Sequence, residues 1–434
     1  MASTSPHRAN TLLFHCHDLG NYLPCYGRPT VRTPHIDRLA GEGVLLERCF
    51  CAAPQCSPAR ASLFTGRYPH ANGVMGLCHD RFARDLHPDE QHLGQLLAAA
   101  GCRTAGVGVL HETHSGPTRC GLQRYESEHM VADAVSRTIA LVDQVASADA
   151  PFYIQAGCVE PRRLRTRGQL RQGFLGDHLQ PDSSAGADVP GFLVDDDAAR
   201  QEIAELQGAI RHVDEHFGRL LAHLDQSPWR DHTVVIFTAD HGVALPRAKC
   251  MVYEPGLAVG FLVRLPSRPG WTGGRRLREM ISQVDVLPTL LELAGQSAPA
   301  NVQGRSFAAL VDGRPYTPRD AVFGEMTCHE YYDPVRSVRT ERYKLIRNCS
   351  TAPGFMDCPQ SWRPRMLTRT PADPSAAYHS PLELYDLKAD PLEQTDLARR
   401  EELSGVRQEL LGRLAAHLRA TGDPLLAGPV ADPA

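Results

Sequence analysis

A cysteine stands at the predicted start of a helix in the segment CSPARASLFTG, which runs from Cys56 to Gly66. Proline at position 58 is tolerated in a first helical turn, and Gly66 favours the end of the helix. Backbone N–H groups at a helix start attract anions, and Arg60 adds a positive charge on the same face. The pattern indicates a nucleophile that meets a sulfate- or phosphate-like group, and a buried cysteine that begins an ordinary helix is an equal alternative.

Carboxylate and imidazole groups follow two further apolar runs. Thr11–His15 leads into Asp18, and Thr233–Thr238 leads into Asp240 and His241. A single aspartate after a strand is usually a turn residue or a helix cap. Two such positions, together with the helix-start cysteine, favour instead a divalent cation bound by oxygen and nitrogen ligands.

Two more polar residues are candidates for contact with a transferred group. His111 follows the apolar run Arg103–Leu110, and Lys249 comes shortly after His241. Either side chain could stabilise charge on the transferred group or protonate a leaving oxygen.

The elements that would position these residues alternate between short apolar runs and helical patterns. Pro151–Cys158 is another such run, and Gln201–Asp225 has apolar residues at helical spacing. The alternation predicts an α/β fold with a large mixed, mostly parallel sheet sandwiched by helices. Ligands bind such sheets beyond the carboxyl ends of the strands, where the polar residues would meet. The loop Gly176–Asp197 either borders that pocket or is a surface insertion.

The last third of the chain has a different pattern. Val335–Asn348 predicts two short strands joined by a turn at Thr340 and Glu341. A final amphipathic helix is predicted from apolar residues at helical spacing, namely Leu403, Val406, Leu410, Leu414 and Leu418. We therefore expect a catalytic α/β domain over residues 1–314 and a smaller C-terminal antiparallel sheet plus helix over residues 315–434.

Charge and cysteine content narrow the expected partners and location. The net charge of −4 and the isoelectric point near 6.6 provide no basic surface for nucleic acid or an anionic membrane. We expect a small-molecule or saccharide partner instead. The apolar run near the N-terminus is too short for a signal peptide or a membrane span. The expectation is a cytoplasmic protein whose 13 cysteines are reduced thiols.

These residues carry a resemblance to the sulfatase family of the alkaline phosphatase-like superfamily. Cys56–Arg60 matches the family signature Cys-x-Pro-x-Arg, and the residues that follow, as far as His70, resemble the rest of that signature. Similar stretches cover nearly the whole chain, among them Asp18–Gly20, Cys25–Gly27, Thr33–Ala40, Phe237–Gly242 and Glu383–Asp386. Within the family the chain looks closest to the heparan N-sulfatase (sulfamidase) branch, through Asn72–Leu77, His329 with Glu330, and Arg336–Val338.

The resemblance implies a covalent mechanism at Cys56. In sulfatases a separate formylglycine-generating enzyme oxidises the signature cysteine to formylglycine, whose aldehyde is hydrated to a geminal diol. One diol oxygen attacks sulfur and expels the alcohol or amine, and the second then releases sulfate as the aldehyde re-forms.

The resemblance also implies a role for each candidate residue. Modified Cys56 would bind one divalent cation together with Asp18, Asp240 and His241. The other contacts would come from Arg60 to the diol, from His111 and Lys249 to the sulfate or leaving group, and from Arg162, His329 and Glu330 to the substrate. Calcium is the usual metal of the family, but a histidine ligand leaves manganese or another transition ion open.

Three departures from the family pattern bear on the site. His17 stands where the family often has the first of two aspartates, Val109 replaces a lysine, and Val159 and Arg162 replace histidines. Arg162 or Arg163 could restore the lost cationic contact, because a guanidinium suits a tetrahedral oxyanion. The imidazole of His17 could be a ligand, support a ligand or point away.

The sequence leaves three functions to compare. The leading hypothesis is a sulfatase that cleaves a sulfate ester or sulfamate, on a sugar or aryl group. The second is a phosphonate monoester or phosphodiester hydrolase of the same superfamily. The third is a non-catalytic protein that binds a sulfated ligand, which the replacements at Val109, Val159 and Arg162 suggest.

Overall fold

The computed structural model describes residues 9–79, 83–146, 150–165, 172–176, 178–329, 331–350 and 379–430. Its strands are β1 Asn10–Cys16, β2 Val44–Phe50, β3 Arg103–Gly108, β4 Arg124–Glu126, β5 Phe152–Gly157, β6 Leu164–Arg165, β7 Gln172–Gly173, β8 Thr233–Ala239, β9 Ala258–Val259, β10 Phe261–Arg264, β11 Arg275–Ser282, β12 Val322–Cys328, β13 Tyr332–Arg339, β14 Tyr343–Asn348 and β15 Leu382–Asp386. Its helices are α1 Pro34–Glu42, α2 Cys56–Thr65, α3 Pro69–Asn72, α4 Leu93–Ala99, α5 Val131–Val145, α6 Asp197–Gln226, α7 Glu254–Leu257, α8 Val286–Leu293, α9 Ala308–Val311 and α10 Ser404–Thr421.

Nine strands form one mixed sheet in the order β11-β2-β10-β8-β1-β5-β3-β4, with β9 beside β2. β1 lies parallel between β5 and β8, and β3 lies parallel between β5 and β4. β2 and β11 are also parallel, whereas β10 runs antiparallel to both β2 and β8. The predicted mostly parallel α/β sheet is therefore confirmed.

The apolar runs form the expected strands, and the largest difference is at the end of β3. The run predicted to continue to Leu110 leaves the sheet after Gly108, because Gly108 has a φ of 78°. That left-handed conformation is open to glycine and ends the extended backbone. His111 therefore lies three residues beyond the strand.

Two groups of helices pack on the sheet. One group joins α6 to α1 and α5, and the other joins α2, α4 and α8. α6 is longer than the predicted Gln201–Asp225, because Asp196 accepts a hydrogen bond from the backbone of Ala199 and starts the helix earlier. Its apolar face meets the sheet centre, where Phe217 lies 5.1 Å from Phe14 between ring centroids.

The last third of the described chain forms the smaller antiparallel sheet, in the order β12-β13-β14-β15. The predicted strand pair around Thr340 and Glu341 is confirmed as β13 and β14. α10 begins at Ser404, and its leucines pack against the apolar side chains of this sheet, namely Leu410, Leu414 and Leu418 against Val338, Leu345 and Leu384. The division of the chain at residues 314 and 315 stays a prediction.

Among the described residues, none of the helices combines the length and the apolar character that crossing a bilayer requires. The loop Gly176–Asp197 places Pro190 and Phe192 on the wall of a cleft of about 190 Å³. Leu19 and Val243 line the same cleft, one and two residues after the predicted metal ligands Asp18 and His241.

Candidate active site

The ends of β1 and β8 bring the two predicted metal segments together. The strands pair in parallel as far as Cys16 and Ala239, so the residues that follow leave the sheet side by side. Asp18 has a φ of 58°, and in this left-handed conformation its backbone N–H donates to Asp240 Oδ1 over 2.9 Å. A non-glycine residue seldom adopts this conformation, and it occurs more often at functional sites.

Helix α2 presents Cys56 at the same edge of the sheet. Gln55 precedes the helix in an extended conformation, and Gly66 ends it with a φ of 67°, as predicted. Every residue of the helix is buried. Cys56 Sγ lies 3.4 Å from His241 Nε2 and 3.9 Å from His17 Nδ1. The cysteine therefore meets the predicted metal segments.

Five buried side chains form a cluster that could hold a metal ion. It consists of His17, Asp18, Cys56, Asp240 and His241, whose potential ligand atoms all lie within 4.8 Å of one another. Two carboxylates, two imidazoles and a sulfur suit a divalent cation, and the imidazoles favour borderline metals over calcium. His17 Nε2 is also buried without a hydrogen-bond partner in the described part of the chain. The residues fit a cation, with one imidazole more than the predicted set.

Lys249 and Arg60 each neutralise one carboxylate of this cluster. Lys249 Nζ lies 2.7 Å and 2.9 Å from the two carboxylate oxygens of Asp18. Arg60 Nε and Nη2 lie 3.1 Å and 3.0 Å from Asp240 Oδ2. Arg60 Nη1 also donates to His15 Nδ1 over 2.6 Å. Both cations were predicted to contact the diol, sulfate or leaving group, and here they fix the carboxylates beside Cys56.

The charges of the cluster shift the pKa values of its members. Burial would raise the pKa of the Cys56 thiol, but His17 and Lys249 lower that pKa well below its ordinary value. Burial would lower the pKa of His241, but Asp240 contributes most to raising it to about 10. When no metal ion is bound, the ionised sulfur of Cys56 and the protonated imidazole of His241 therefore stabilise each other electrostatically. A bound metal ion would displace the proton from the imidazole.

His111 also lies beside Cys56. Its side chain contacts that of Cys56 and contributes to the low pKa of the thiol. His111 Nε2 is also 3.1 Å from His79 Nδ1. Burial lowers the pKa of His111, which favours the neutral imidazole at neutral pH.

The predicted substrate contacts have different surroundings. Arg163 is buried, donates to the backbone oxygen of Ala244 and forms an ion pair with Glu202, so its guanidinium serves packing. Arg162 and His329 are half-buried. Gln55, just before α2, donates to the backbone oxygen of Cys328 over 2.7 Å, which brings the chain before His329 to the start of this helix. Glu330 lies outside the described residues.

Sequence reasoning missed two histidines of this region. His15 supports Arg60, and His79 contacts His111. His15 is the last residue of an apolar run, and only strand register shows that its side chain points toward α2. The position of His79 depends on the chain after α3, where the sequence has no regular pattern.

This arrangement, a large mixed sheet with a helix-start cysteine and a buried ligand cluster at its edge, is that of the alkaline phosphatase-like hydrolases. The chain belongs to the sulfatase family, whose model matches residues 10–156 and 162–296. A second model, described as N-sulphoglucosamine sulphohydrolase, C-terminal, matches residues 246–358. The predicted resemblance to the sulfamidase branch is thereby confirmed, and the chain is a sulfatase enzyme.

Individual relatives agree with this assignment. The chain is 27% identical to human N-sulphoglucosamine sulphohydrolase over 476 residues, covering 97% of this chain and 92% of the relative. It is 28% identical over 410 residues to an ulvan-active sulfatase of Formosa agariphila, covering 92% and 78%.

Solved structures share the fold. The protein BT4656, solved in complex with its substrate D-glucosamine-2-N,6-O-disulfate, superposes with a TM-score of 0.74 at 18% identity, over 96% of this chain and 98% of the other. A phosphonate monoester hydrolase from Silicibacter pomeroyi superposes with a TM-score of 0.69 at 17% identity, over 96% of each chain.

Proposed function

We propose that this sulfatase hydrolyses a sulfate ester or sulfamate on a sugar, through a formylglycine derived from Cys56 and one divalent cation. The observation that carries the proposal is the position of Cys56. Its sulfur lies at the start of a buried helix and within 3.9 Å of two imidazoles of the ligand cluster. A group at this point would meet both the cation and the anion-attracting helix start.

The modified residue, when present, supplies the attacking hydroxyl oxygen, and the cation favours its ionised form. Asp18, Asp240, His241 and His17 would hold the cation. Sulfate oxygens would be bound by backbone N–H groups at the start of α2.

Arg60 and Lys249 keep Asp240 and Asp18 oriented, because each is already hydrogen-bonded to its carboxylate. His111 contacts Cys56 and is in position to move a proton between the attacking group and the leaving oxygen or nitrogen.

The substrate class rests on the relatives. The sulfamidase-type C-terminal match and the human N-sulphoglucosamine sulphohydrolase favour a sulfamate on a glucosamine. Arg162, His329 and Glu330 are the proposed sugar or sulfate contacts. We also propose a cytoplasmic location and a formylglycine-generating enzyme as maturation partner. For the cation we propose manganese or a similar ion, because two imidazole ligands suit such an ion better than they suit calcium.

Peptide mass spectrometry on the Cys56 fragment, from protein purified from its native host, tests the mechanism. We expect the mass of formylglycine. The mature protein should then hydrolyse sulfamates and sulfate esters of glucosamine faster than phosphodiesters or phosphonate monoesters, and the reverse order would favour the second hypothesis. An unmodified thiol, in a host that modifies other sulfatases, would favour the binding-protein hypothesis.

Two cysteine variants provide the matched comparison. Cys56→Ala should lower kcat/KM by at least ~10³-fold, because it removes the nucleophile. Cys51→Ala removes a buried cysteine outside the signature and should keep turnover within ~10-fold of the wild type. Equal losses in the two variants would contradict a nucleophilic role for Cys56.

A further inference from the structure

A second group of ligand-type side chains lies away from Cys56. Glu160 follows β5, His178 belongs to the loop before α6, and His212 lies on α6. One ligand atom from each of these three residues lies within 4.8 Å of the other two. None of the three belongs to the cluster around Cys56, so this group is a separate candidate site.

Only one of the two carboxylate oxygens of Glu160 accepts a hydrogen bond from the described residues. Glu160 is fully buried, and its Oε2 accepts a hydrogen bond from the backbone of Val131 at the start of α5, over 2.9 Å. Its Oε1 is buried and accepts no hydrogen bond from the described residues. Oε1 faces His178, whose Nε2 is 3.8 Å away. A buried carboxylate oxygen that lacks a partner is costly, unless a cation compensates it.

His212 on α6 likewise has a buried polar atom without a hydrogen-bond partner among the described residues. His212 Nε2 is buried and also lacks a hydrogen-bond partner within the described part of the chain. The neighbouring cation on the helix is engaged elsewhere, since Arg211 pairs with Asp182 and Glu215. One carboxylate oxygen and two imidazoles therefore lie close enough together to bind one ion.

We propose that Glu160, His178 and His212 bind a zinc-class divalent cation at a site separate from the catalytic cluster. Two histidines and one glutamate are a recognised set of protein ligands for zinc, which takes a fourth ligand from water. His178 is 42% exposed, so the fourth position opens toward solvent. The ion would join the loop Gly176–Asp197 to α6 and to the end of β5.

Zinc content of the full-length protein tests the proposal. Protein stripped with chelator and dialysed against zinc chloride should bind one zinc ion more than either Glu160→Gln or His212→Gln. Each variant should weaken zinc binding at this site by at least ~10-fold, because it removes a direct ligand. His223→Gln removes another histidine of α6 and should retain the wild-type stoichiometry.

Two further measurements separate this site from other zinc-binding groups. Asp240→Asn damages the catalytic cluster and should leave this zinc in place, so loss of the catalytic metal would not be mistaken for failure here. Anomalous diffraction at the zinc edge should give a peak between the three side chains. Replacement of the buried Glu160 changes the core of the protein. His178 is exposed, so His178→Gln removes a proposed ligand and leaves the core intact. Wild-type zinc binding in His178→Gln and His212→Gln, or zinc density only at cysteines or the catalytic cluster, would overturn the proposal.

Discussion

Each carboxylate of the ligand cluster has its own fixed cation. Lys249 contacts Asp18, and Arg60 contacts Asp240, so the two carboxylates can lie side by side in a buried site. A bound divalent ion would therefore add positive charge to a cluster that is already balanced. The nature of the remaining ligands, more than their total charge, should then determine which metal the site selects.

Replacement of His17 by aspartate should change that selection. His17→Asp exchanges an imidazole for a hard oxygen ligand, so calcium should stabilise the variant more than manganese does, whereas manganese should stabilise the wild type more. Thermal unfolding of chelator-treated protein with each metal measures the difference in melting temperature. His129→Gln, which removes an exposed histidine, should keep the wild-type order. The same metal order in His17→Asp and the wild type would show that His17 does not bind the ion.

At the scale of elements, the close approach of β1 and β5 determines where Arg60 lies. A Cβ atom added at Gly157 would lie 2.2 Å from the ring of His15, which accepts a hydrogen bond from Arg60. Gly157→Ala should displace His15 and Arg60 and lower kcat/KM by on the order of 10²-fold. Gly41→Ala adds a methyl group that meets no atom within 4 Å and should leave activity unchanged. Wild-type activity in Gly157→Ala would mean that His15 does not position Arg60.

Helix α10 should make stability depend on pH. His417 is packed on Phe323, and burial lowers its pKa to about 4, helped by His70 and Arg319 and opposed by Glu325 and Asp423. The unfolded chain, with a pKa near 6.5, binds a proton more readily, so the folded state should lose up to ~3 kcal/mol as the pH falls from 6.5 to 4.

Melting curves of His417→Gln isolate this effect. The difference in stability between wild type and variant should shrink or reverse as the pH falls through this range, because the variant cannot take up that proton. A difference that stays constant from pH 7.5 to pH 4.5 would contradict the expected contribution of His417.

The sequence was sufficient for elements with strong local patterns. α2 could be placed from Pro58 and Gly66, because helix ends have local rules. The early end of β3 could not, since the conformation of Gly108 depends on the neighbouring strand. The role of His17 was left open for a similar reason, because only the left-handed turn at Asp18 directs both side chains into one cluster. Sequence alone also did not indicate Glu160, His178 and His212, which lie far apart along the chain.

At the scale of the whole molecule, an ion network joins the small sheet to α7, the helix that leads directly into β9 of the large sheet. Lys344 on β14 is fully buried, and its Nζ lies 3.3 Å from Glu254 of α7 and 3.0 Å from Glu393. Lys344→Met would leave the buried carboxylate of Glu393 and the half-buried one of Glu254 without this cation and should destabilise the protein by ~3–5 kcal/mol. Denaturant unfolding measures the loss, with Lys388→Met as an exposed control that should change little. Equal stability of the two variants would show that the network does not hold the sheets together.

The burial of α2 determines whether Cys56 can be modified before or after the protein folds. Cys56 is only 1% exposed, and every residue of its helix is enclosed by the finished fold. Another enzyme cannot bind this segment once it is buried in the folded protein. Any maturation of the sulfur must therefore take place while the chain is still being synthesised or has not yet closed around it. A molecule that folds before Cys56 is modified should keep its thiol permanently. The active fraction of a preparation would then depend on the rate of modification relative to the rate of folding.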